Sequence, residues 1–346
     1  MVTALINSQA EIVRSSYYLM EPSHFTFKDS DIENKEREGL RYYAEMYRAS
    51  VLDNMSTIAN AVTNISDPLY FHFENNESPE PLLMRILGLV KRILVKISHL
   101  PQEHRERKYQ SKIKVFKDQF KGERCFIIGN GPSLKMDDLD KLANEYSFAT
   151  NKVYYAFNST VWRPTFYAVQ DALVLEQTLD TVKSLDVRYK FLRADSLSKF
   201  EKIPDNTFFF RKKTRLYNGK PASFSEDPSK CVYEGSTVTF LCLQLALYMG
   251  FKEIYLLGMD FNYSIYKDKS GIHFENTADY FSSKYKSNGE VYYYARLDYA
   301  TEAFELADKV AKSHGSRIFN ATRGGKLEVF ERVEFDTLFD KSGGTL

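Results

Sequence analysis

The protein has 346 residues, of which 43% are hydrophobic and 27% are charged, a balance that excludes a disordered, collagen-like or coiled-coil chain. Its 47 Lys and Arg residues are matched by 46 Asp and Glu residues, and the formal net charge of +1 disfavours nucleic acid as a partner. Three widely spaced cysteines, Cys125, Cys231 and Cys242, are typical of reduced cytoplasmic thiols rather than of a zinc site. Because no signal-peptide core and no apolar run of about 18 residues is present, we expect a cytoplasmic protein.

The N-terminal third of the chain is charged and helix-like. Residues 1–109 predict a helical N-terminal region, within which residues 82–100 predict an apolar helix interrupted by four Lys and Arg residues. This basic amphipathic pattern fits the anionic surface of a membrane, and it fits packing against the rest of the protein or another subunit equally well. Residues 110–121 are polar and predict a linker, after which residues 122–346 form the catalytic domain.

Short apolar runs alternate with helix-like segments beyond residue 122, which predicts an α/β fold with a mostly parallel, Rossmann-like sheet flanked by helices. A strand at 125–128 is followed by a glycine-containing loop at 129–133 and a helical pattern over 136–146. Further strands are predicted at 146–150, 166–169, 207–210, 254–258 and 317–320, and a further helix at 237–249.

The loop Gly129-Asn130-Gly131-Pro132-Ser133 is the first candidate for a site. Glycines allow a ligand to approach the backbone closely, and the helix behind them directs amides and a positive dipole end toward a phosphate. The loop lacks the Gly-x-Gly-x-x-Gly spacing of dinucleotide folds and the Lys of a P-loop, which argues against both classes. A tight turn capped by Ser133 explains the same residues.

A second candidate wall follows the strand at 254–258, where open α/β sheets bind ligands. We expect Asp260 to be a structural acid that accepts hydrogen bonds from loop amides, with metal ligation as the alternative. Ser236 and Thr237 begin the preceding helix, where their hydroxyls and amides either bind a phosphate or cap the helix. The basic segment 211–215 either holds an anionic acceptor or is solvated.

Several segments, taken in chain order, resemble the bacterial family-42 sialyltransferases and the related MptE-like domains of surface-polysaccharide clusters. The matching segments are 126–135, 150–152, 168–173 and 247–261, and the ending at 320–330 resembles the closing segment of MptE-like proteins. The resemblance covers about residues 122–335. It implies a Rossmann-like fold of the GT-A kind.

The resemblance implies a CMP-sugar site whose floor is the glycine loop. Amide side chains both donate and accept hydrogen bonds, so they can bind a cytosine edge or ribose hydroxyls without adding charge. In the sialyltransferases, Asn occupies the position of Gln170, and an uncharged amide occupies that of Lys152. These two differences bear on which nucleotide base the site prefers. The implied nucleotide-binding residues are Gly129, Asn130, Gly131, Ser133, Asn151, Gln170, Ser236, Thr237 and Asp260.

The resemblance also implies three catalytic residues, for each of which a structural or solvated role is the alternative. Tyr263 and Tyr266 fall where the sialyltransferases use tyrosine hydroxyls to hold the departing phosphate, and neutral phenols can stabilise that charge. His273 is similar to the family's general base, although it follows Asp260 at a shorter spacing. An imidazole can take the proton from an acceptor hydroxyl at neutral pH.

The implied function is an inverting, metal-independent glycosyltransferase that moves a CMP-activated acidic sugar, such as sialic acid, a related nonulosonate or Kdo, onto a bacterial surface glycan. The CMP-sugar is the donor substrate and no cofactor is expected, because a monophosphate leaving group lacks the diphosphate that recruits Mg²⁺. We further expect a lipid-linked acceptor, peripheral contact with the cytoplasmic face of the inner membrane, and a homo-oligomer. Two alternatives are an MptE-like diphosphokinase, in which Asp171 and Asp260 hold Mg²⁺ with ATP, and a non-catalytic subunit of glycan assembly.

Overall fold

The computed structural model describes residues 102–213, 221–285 and 295–339. The predicted amphipathic helix 82–100 and the rest of the N-terminal region before residue 102 lie outside these residues. Within the described residues, no helix is both long and apolar enough to cross a membrane.

The segment predicted as a linker is part of the folded domain. Residues 102–110 are helical (α1) and continue into a 3-10 helix, Ser111–Phe116. The side chains of Ile113 and Phe116 are buried in the core. The buried Gln110 side chain donates to the Pro228 carbonyl and accepts from the Arg211 amide at 2.8 Å. Residues 110–121 are mostly polar because most positions face solvent, and the buried Ile113 and Phe116 anchor the segment.

Eight parallel strands form the central sheet, which confirms the predicted α/β Rossmann-like fold. From one edge of the sheet to the other, the strands are β13 (Glu331–Arg332), β12 (Arg317–Asn320), β8 (Glu253–Leu257), β1 (Arg124–Ile128), β2 (Tyr146–Thr150), β3 (Phe166–Ala168), β4 (Tyr189–Arg193) and β5 (Thr207–Phe210). Smaller sheets contain β6 (Lys212–Lys213) with β7 (Val232–Tyr233), and β9 (Ile265–Asp268) with β10 (Gly271–Phe274) and β11 (Ala295–Arg296).

Helices cover both faces of the sheet because side chains alternate along each strand. In β1, Cys125 and Ile127 join one core cluster, whereas Phe126 and Ile128 join the other. The first cluster includes α4 (Val238–Tyr248) and α5 (Leu297–Ser313), and the second includes α2 (Met136–Lys141) and α3 (Ala172–Ser184). The result is a three-layer α/β/α domain.

Helix α4 is a core helix that is apolar on nearly every side. Thr237 caps its N-terminus, where the side chain accepts from the Thr239 amide at 3.3 Å. Its buried Gln244 accepts from the amides of Ser225 and Tyr233, at 3.1 and 2.9 Å, and donates to the Tyr233 carbonyl. One side chain thereby fixes β7 and the preceding loop against the helix.

Candidate functional site

The chain reverses direction across the sheet at β1, since β2 to β5 extend to one side of it and β8, β12 and β13 to the other. In open α/β sheets, ligands bind at the carboxyl ends of the strands beside such a reversal. Two loops lie there, residues 129–135 after β1 and residues 258–264 after β8. These are the two segments in which the sequence predicts a site.

Asp260 holds the two loops together. Its carboxylate accepts hydrogen bonds from the Ser133 hydroxyl at 2.7 Å and from the Ser133 amide at 3.3 Å. A Cβ atom on Gly131 would lie 1.9 Å from Asp260 Oδ2, and one on Gly129 would lie 2.3 Å from the Gly258 carbonyl oxygen. The glycines therefore permit close contact between the loops. Ser133, which the resemblance implies as a nucleotide-binding residue, uses both its amide and its hydroxyl on this carboxylate, as expected for a structural Asp260.

Four amide side chains near the reversal each have a buried oxygen without a hydrogen-bond partner. These atoms are Oδ1 of Asn130, Asn151 and Asn262 and Oε1 of Gln170. The residues follow the carboxyl ends of β1, β2, β8 and β3, which are neighbouring strands. A buried acceptor without a donor costs roughly 1–3 kcal/mol, and such groups are rare in folded proteins. This amide cluster therefore indicates a site that a ligand's N–H and O–H groups complete.

Asn130 is held in one orientation. Its Nδ2 lies 3.1 Å from both the main-chain oxygen and the hydroxyl of Thr150. A carbonyl oxygen only accepts, so the amide nitrogen faces Thr150 and Oδ1 is the atom left for a ligand. In Asn262, Nδ2 lies 3.0 Å from the Thr277 hydroxyl, which can donate or accept, so this amide serves in either orientation.

The backbone near the amide cluster is strained at three non-glycine residues. Positive φ angles occur at Asn151 (51°), Ser236 (59°) and Phe261 (52°). Asn tolerates this left-handed conformation, whereas an aromatic residue rarely adopts it. Such strain costs of order 1–3 kcal/mol per residue and concentrates at ligand-binding loops.

Residues 279–285 lie beside the amide cluster and contribute aromatic rings to it. The Phe281 amide donates to the Asn130 carbonyl at 2.9 Å. The rings of Tyr280 and Tyr285 stack with their centroids 3.8 Å apart. Lys152, which is 1% exposed, donates from Nζ to the Tyr285 carbonyl at 3.0 Å. A lysine amine and stacked rings therefore accompany the amide oxygens.

Tyr263 is half-buried between the site's carboxylates. Burial raises the pKa of its phenol to about 12, and the negative charges of Asp279 and Asp260 raise the pKa further in the same direction. The phenol is therefore protonated at neutral pH and remains a donor, as its predicted role requires.

Tyr266 and His273 face each other across the β9–β10 hairpin, with their rings stacked 4.8 Å apart. The Tyr266 hydroxyl lies 3.0 Å from Glu275 Oε1, an acceptor that already engages it. His273 Nε2 lies 2.8 Å from Asp268 Oδ1 and from the Ser270 hydroxyl. Hydrogen bonds from Ser270 first, then from His273, lower the pKa of Asp268 to about 2. A carboxylate on Nε2 favours the tautomer in which Nδ1 is the basic nitrogen.

The three predicted catalytic residues therefore fall into two places. Tyr263 lies with Asp260, whereas Tyr266 and His273 lie together on the hairpin. Among the described residues, no hydrogen bond joins the hairpin pair directly to the amide cluster. The connection runs through Glu275, which pairs with Lys326 Nζ at 2.7 Å, and through the Lys326 amide, which donates to the Asp260 carbonyl at 2.7 Å.

Thr237 has a structural role at the start of α4, because its side chain caps the helix. Gly235 packs tightly before it, since a Cβ there would lie 2.4 Å from the Phe240 ring. Ser236, between them, adopts the left-handed conformation. Phosphate binding by Ser236 and Thr237 stays a prediction.

Sequence reasoning singled out Asn130, Asn151 and Gln170 but missed Asn262 as a member of the amide cluster. The sequence feature that could have identified Asn262 is its position two residues after Asp260, in the same strand-end loop. The structure also adds Lys152, which the sequence marked only as a departure from the sialyltransferases. A lysine beside Asn151 gives no indication of burial until the fold is known.

The carboxylates considered for a metal both accept hydrogen bonds from the protein. Asp171 caps α3 and accepts from the Leu173 amide at 2.8 Å, and Asp260 accepts from Ser133. Over the described ranges, no group of three or more His, Cys, Asp and Glu residues is placed to hold a metal ion.

Comparison with known proteins matches residues 99–266 to the family described as "6-hydroxymethylpterin diphosphokinase MptE-like". This confirms the resemblance to MptE-like domains over that region. A solved structure of the MAf glycosyltransferase from Magnetospirillum magneticum AMB-1 is similar, with 16% sequence identity and a TM-score of 0.38. The similarity covers 75% of this chain and 43% of that one, so the chain spans less than half of its length. No curated protein matches the sequence.

Proposed function

We propose that the protein is a glycosyltransferase that moves a CMP-activated acidic sugar, such as sialic acid, a related nonulosonate or Kdo, onto a bacterial surface glycan, with inversion and without a metal ion. The observation that carries the proposal is the amide cluster: four buried acceptor oxygens beside the sheet reversal. Neutral acceptors suit a nucleoside, because its exocyclic amine and ribose hydroxyls donate hydrogen bonds. The family match and the segments that resemble sialyltransferases favour a transferase.

In this proposal the amide cluster binds the nucleoside. Cytosine presents an N4 amine that donates, and Asn130 Oδ1 is held as an acceptor by the Thr150 contacts. Asn151, Gln170 and Asn262 accept from the remaining base and ribose donors. The Gly129 to Ser133 loop closes the site from below, since Asp260 fixes its position.

The reaction is a displacement at the anomeric carbon. The acceptor oxygen forms the new bond, the bond to the CMP phosphate breaks, and the acceptor proton passes to His273 Nδ1, whose other nitrogen is held by Asp268. Tyr263, kept protonated by its raised pKa, donates to the departing phosphate, with Tyr266 as a second phenol. The β9–β10 hairpin carries the base and thereby positions the acceptor.

The test is a thermal-shift series with CMP, CDP, UMP, GDP and ATP, each with and without Mg²⁺, since a ligand that binds only the native state raises its melting temperature. CMP or CDP is expected to stabilise the protein without Mg²⁺. UMP is the matched control, because it differs from CMP mainly by an oxygen in place of the N4 amine. Equal shifts with UMP and CMP, or no shift with either, would contradict the proposal.

The family match favours one other function, an MptE-like diphosphokinase that uses ATP and Mg²⁺. An amine-bearing heterocycle other than cytosine would satisfy the same amide oxygens. In that case ATP stabilises the protein only with Mg²⁺, and a chelator abolishes turnover, whereas transfer from a CMP-sugar persists in the chelator.

We also propose that the acceptor is lipid-linked and that the protein, a homo-oligomer, binds the inner membrane from the cytoplasm. The basic pattern at 82–100 supports this, because Lys and Arg side chains are attracted to anionic lipid. Flotation with anionic and with neutral liposomes tests it, because only the anionic vesicles are expected to carry the protein upward.

A further inference from the structure

A cavity lies at the carboxyl ends of β4 and β5, next to the strands that carry the amide cluster. Its volume is about 400 Å³. Four cations and two carboxylates line it: Arg193, Arg211, Lys212, Lys213, Glu106 and Asp195. The predicted basic segment 211–215 contributes three of these cations.

Two of the cations are satisfied within the protein. Arg193 pairs with Asp195, and Lys212 Nζ lies 2.9 Å from Glu234 Oε1. Within each of these short ion pairs the two charges neutralise each other, and the pairs fix the walls of the cavity.

The other two cations retain unused hydrogen-bonding capacity. Arg211 forms two long ion pairs, with Glu106 at 3.5 Å and with Glu103 at 3.9 Å. In the described part of the chain, Arg211 makes no side-chain hydrogen bond and Lys213 makes no ion pair. The Lys213 amine lies 5.9 Å from the centre of the Tyr233 ring. The Arg211 side chain is 25% exposed, and because its two ion pairs are long, its N–H donors can still bind a carboxylate or phosphate in bidentate fashion.

The backbone that carries these two side chains is fixed from both sides. The Arg211 amide donates to Gln110 Oε1 at 2.8 Å, and the Arg211 carbonyl accepts from the Val232 amide at 2.9 Å. Arg211 and Lys213 are two residues apart in an extended segment, so they lie on the same side of it, roughly 7 Å apart. Such a preorganised pair spares a ligand the entropy of ordering its binding groups.

The cavity adjoins the amide cluster. Arg193 Nη1 donates to the main-chain oxygen of Gln170 at 3.3 Å, and the side-chain oxygen of Gln170 is one of the four without a partner. A ligand of the amide cluster and an anionic group in the cavity would therefore be neighbours.

We propose that this cavity is a binding site for an anionic group, a carboxylate or a phosphoryl group, held by Arg211 and Lys213. Under the proposed function, on which the identity of the ligand rests, the group is a carboxylate of the glycan acceptor, because the donor's own carboxylate is bonded to the anomeric carbon and must stay near Tyr263 and His273. The anion accepts hydrogen bonds from the Arg211 guanidinium and lies against the Lys213 amine. Arg193 and Lys212 keep their partners within the protein.

Cys231 reports on the cavity directly because it lines it, whereas Cys125 and Cys242 are fully buried. The experiment measures the rate at which N-ethylmaleimide, a neutral reagent, modifies Cys231, with peptide mapping by mass spectrometry. Sialic acid is compared with its methyl ester, and inorganic phosphate with chloride, at constant ionic strength. A ligand at about ten times its Kd is expected to slow the modification about tenfold.

Three variants sharpen the measurement. Arg211→Gln and Lys213→Gln are each expected to weaken protection about tenfold, since each removes a charge-assisted contact. Lys230→Gln is the matched control, because Lys230 precedes Cys231 but its side chain is 77% exposed and does not line the cavity. Circular dichroism and melting curves check that each variant is folded.

Protection by sialic acid but not by its ester assigns the site to a carboxylate, and protection by phosphate alone assigns it to a phosphoryl group. Equal protection by acid and ester, no protection by either anion, or undiminished protection in Arg211→Gln and Lys213→Gln would overturn the proposal. The CMP thermal shift, measured on the same proteins, tests the proposed CMP-sugar donor separately from the anion site in the cavity. A CMP shift without protection refutes only the cavity, and protection without a CMP shift refutes only the proposed donor.

Discussion

The oxygen of Gln170 belongs to a side chain that is 5% exposed and receives no hydrogen bond. In the ligand-free protein such an atom lowers stability, because it has lost its water without gaining a donor. The same loss strengthens binding, since a ligand that donates to the oxygen removes the penalty. Stability and ligand affinity are therefore expected to change in opposite directions when the amide is replaced.

Gln170→Leu is expected to raise the free energy of unfolding by up to about 1 kcal/mol, or about 2–4 °C in melting temperature, while abolishing the nucleotide-induced shift. Gln244→Leu is the matched control, because the amide of Gln244 is equally buried but accepts from Ser225 and Tyr233. Its loss leaves two buried amides without acceptors and is expected to cost about 2–4 kcal/mol. Chemical denaturation of both variants measures the two values. A destabilised Gln170→Leu that still binds nucleotide would show that this oxygen has no ligand.

His273→Ala is expected to lower kcat about 100-fold or more without lowering the melting temperature, because the variant loses the base but keeps the hairpin pairing. Asp268→Asn is expected to have a smaller effect of the same kind, since it removes the carboxylate that orients Nε2. His314→Ala is the control, because His314 also pairs with a carboxylate, Glu226 at 3.1 Å, but lies at the end of α5. Transfer rates from a CMP-sugar check the prediction, and an unchanged kcat in His273→Ala would remove His273 from the mechanism.

At the level of the element, strand prediction succeeded where no charged residue lies inside the segment. The segments 146–150, 207–210 and 317–320 have uncharged interior positions, and each forms a strand with those bounds. Strand β4 was missed because Lys190 and Arg193 interrupt it. Lys190 is nevertheless buried, with its amine on the Lys183 carbonyl at 2.9 Å, and desolvation lowers its pKa. Only the fold reveals such a partner.

The site could be predicted in part for the same reason. Asn130, Asn151 and Gln170 were found because they follow predicted strands, and parallel strands bring their carboxyl ends to one edge. The β9–β10 hairpin was not predicted, since its apolar and polar residues are mixed, no position of either strand is fully buried, and Ile265 and Phe274 are exposed. The positions of Tyr266 and His273 relative to the amide cluster depend on that hairpin and could not be derived from spacing.

The contact between the two site loops can be tested with a double-mutant cycle. Gly131→Ala places a methyl group against Asp260 Oδ2 and is expected to cost about 1–3 kcal/mol by overpacking. In an Asp260→Ala background the same change is expected to cost about 1 kcal/mol less, because the clashing carboxylate is gone. Denaturant unfolding of the four proteins gives the coupling energy. Additive effects would mean that the loops are not held by this contact.

Residues 335–339, the last that the structure describes, contact β1 and the helix that follows it, α2. The 3-10 helix Phe335–Phe339 places Phe335 and Phe339 against Phe126 of β1. Asp336 accepts from Lys141 Nζ at 2.6 Å and from Arg323 Nη2 at 2.8 Å. This contact joins residues nearly 200 positions apart, and we expect its charges to make stability depend on pH.

Hydrogen bonds from Lys141 first, then Arg323, lower the pKa of Asp336 to about 2. Because the folded pKa lies below the unfolded value of about 3.9, the ion pairs stabilise the protein fully above pH 4 and progressively less as the pH falls toward 2. Asp336→Asn is expected to lower the melting temperature at pH 7 and to flatten its fall between pH 4 and 2. Asp205→Asn, at an exposed position without an ion pair in the described chain, is the control that should follow the wild-type curve. Parallel wild-type and Asp336→Asn curves through this range would show that the contact does not depend on the carboxylate.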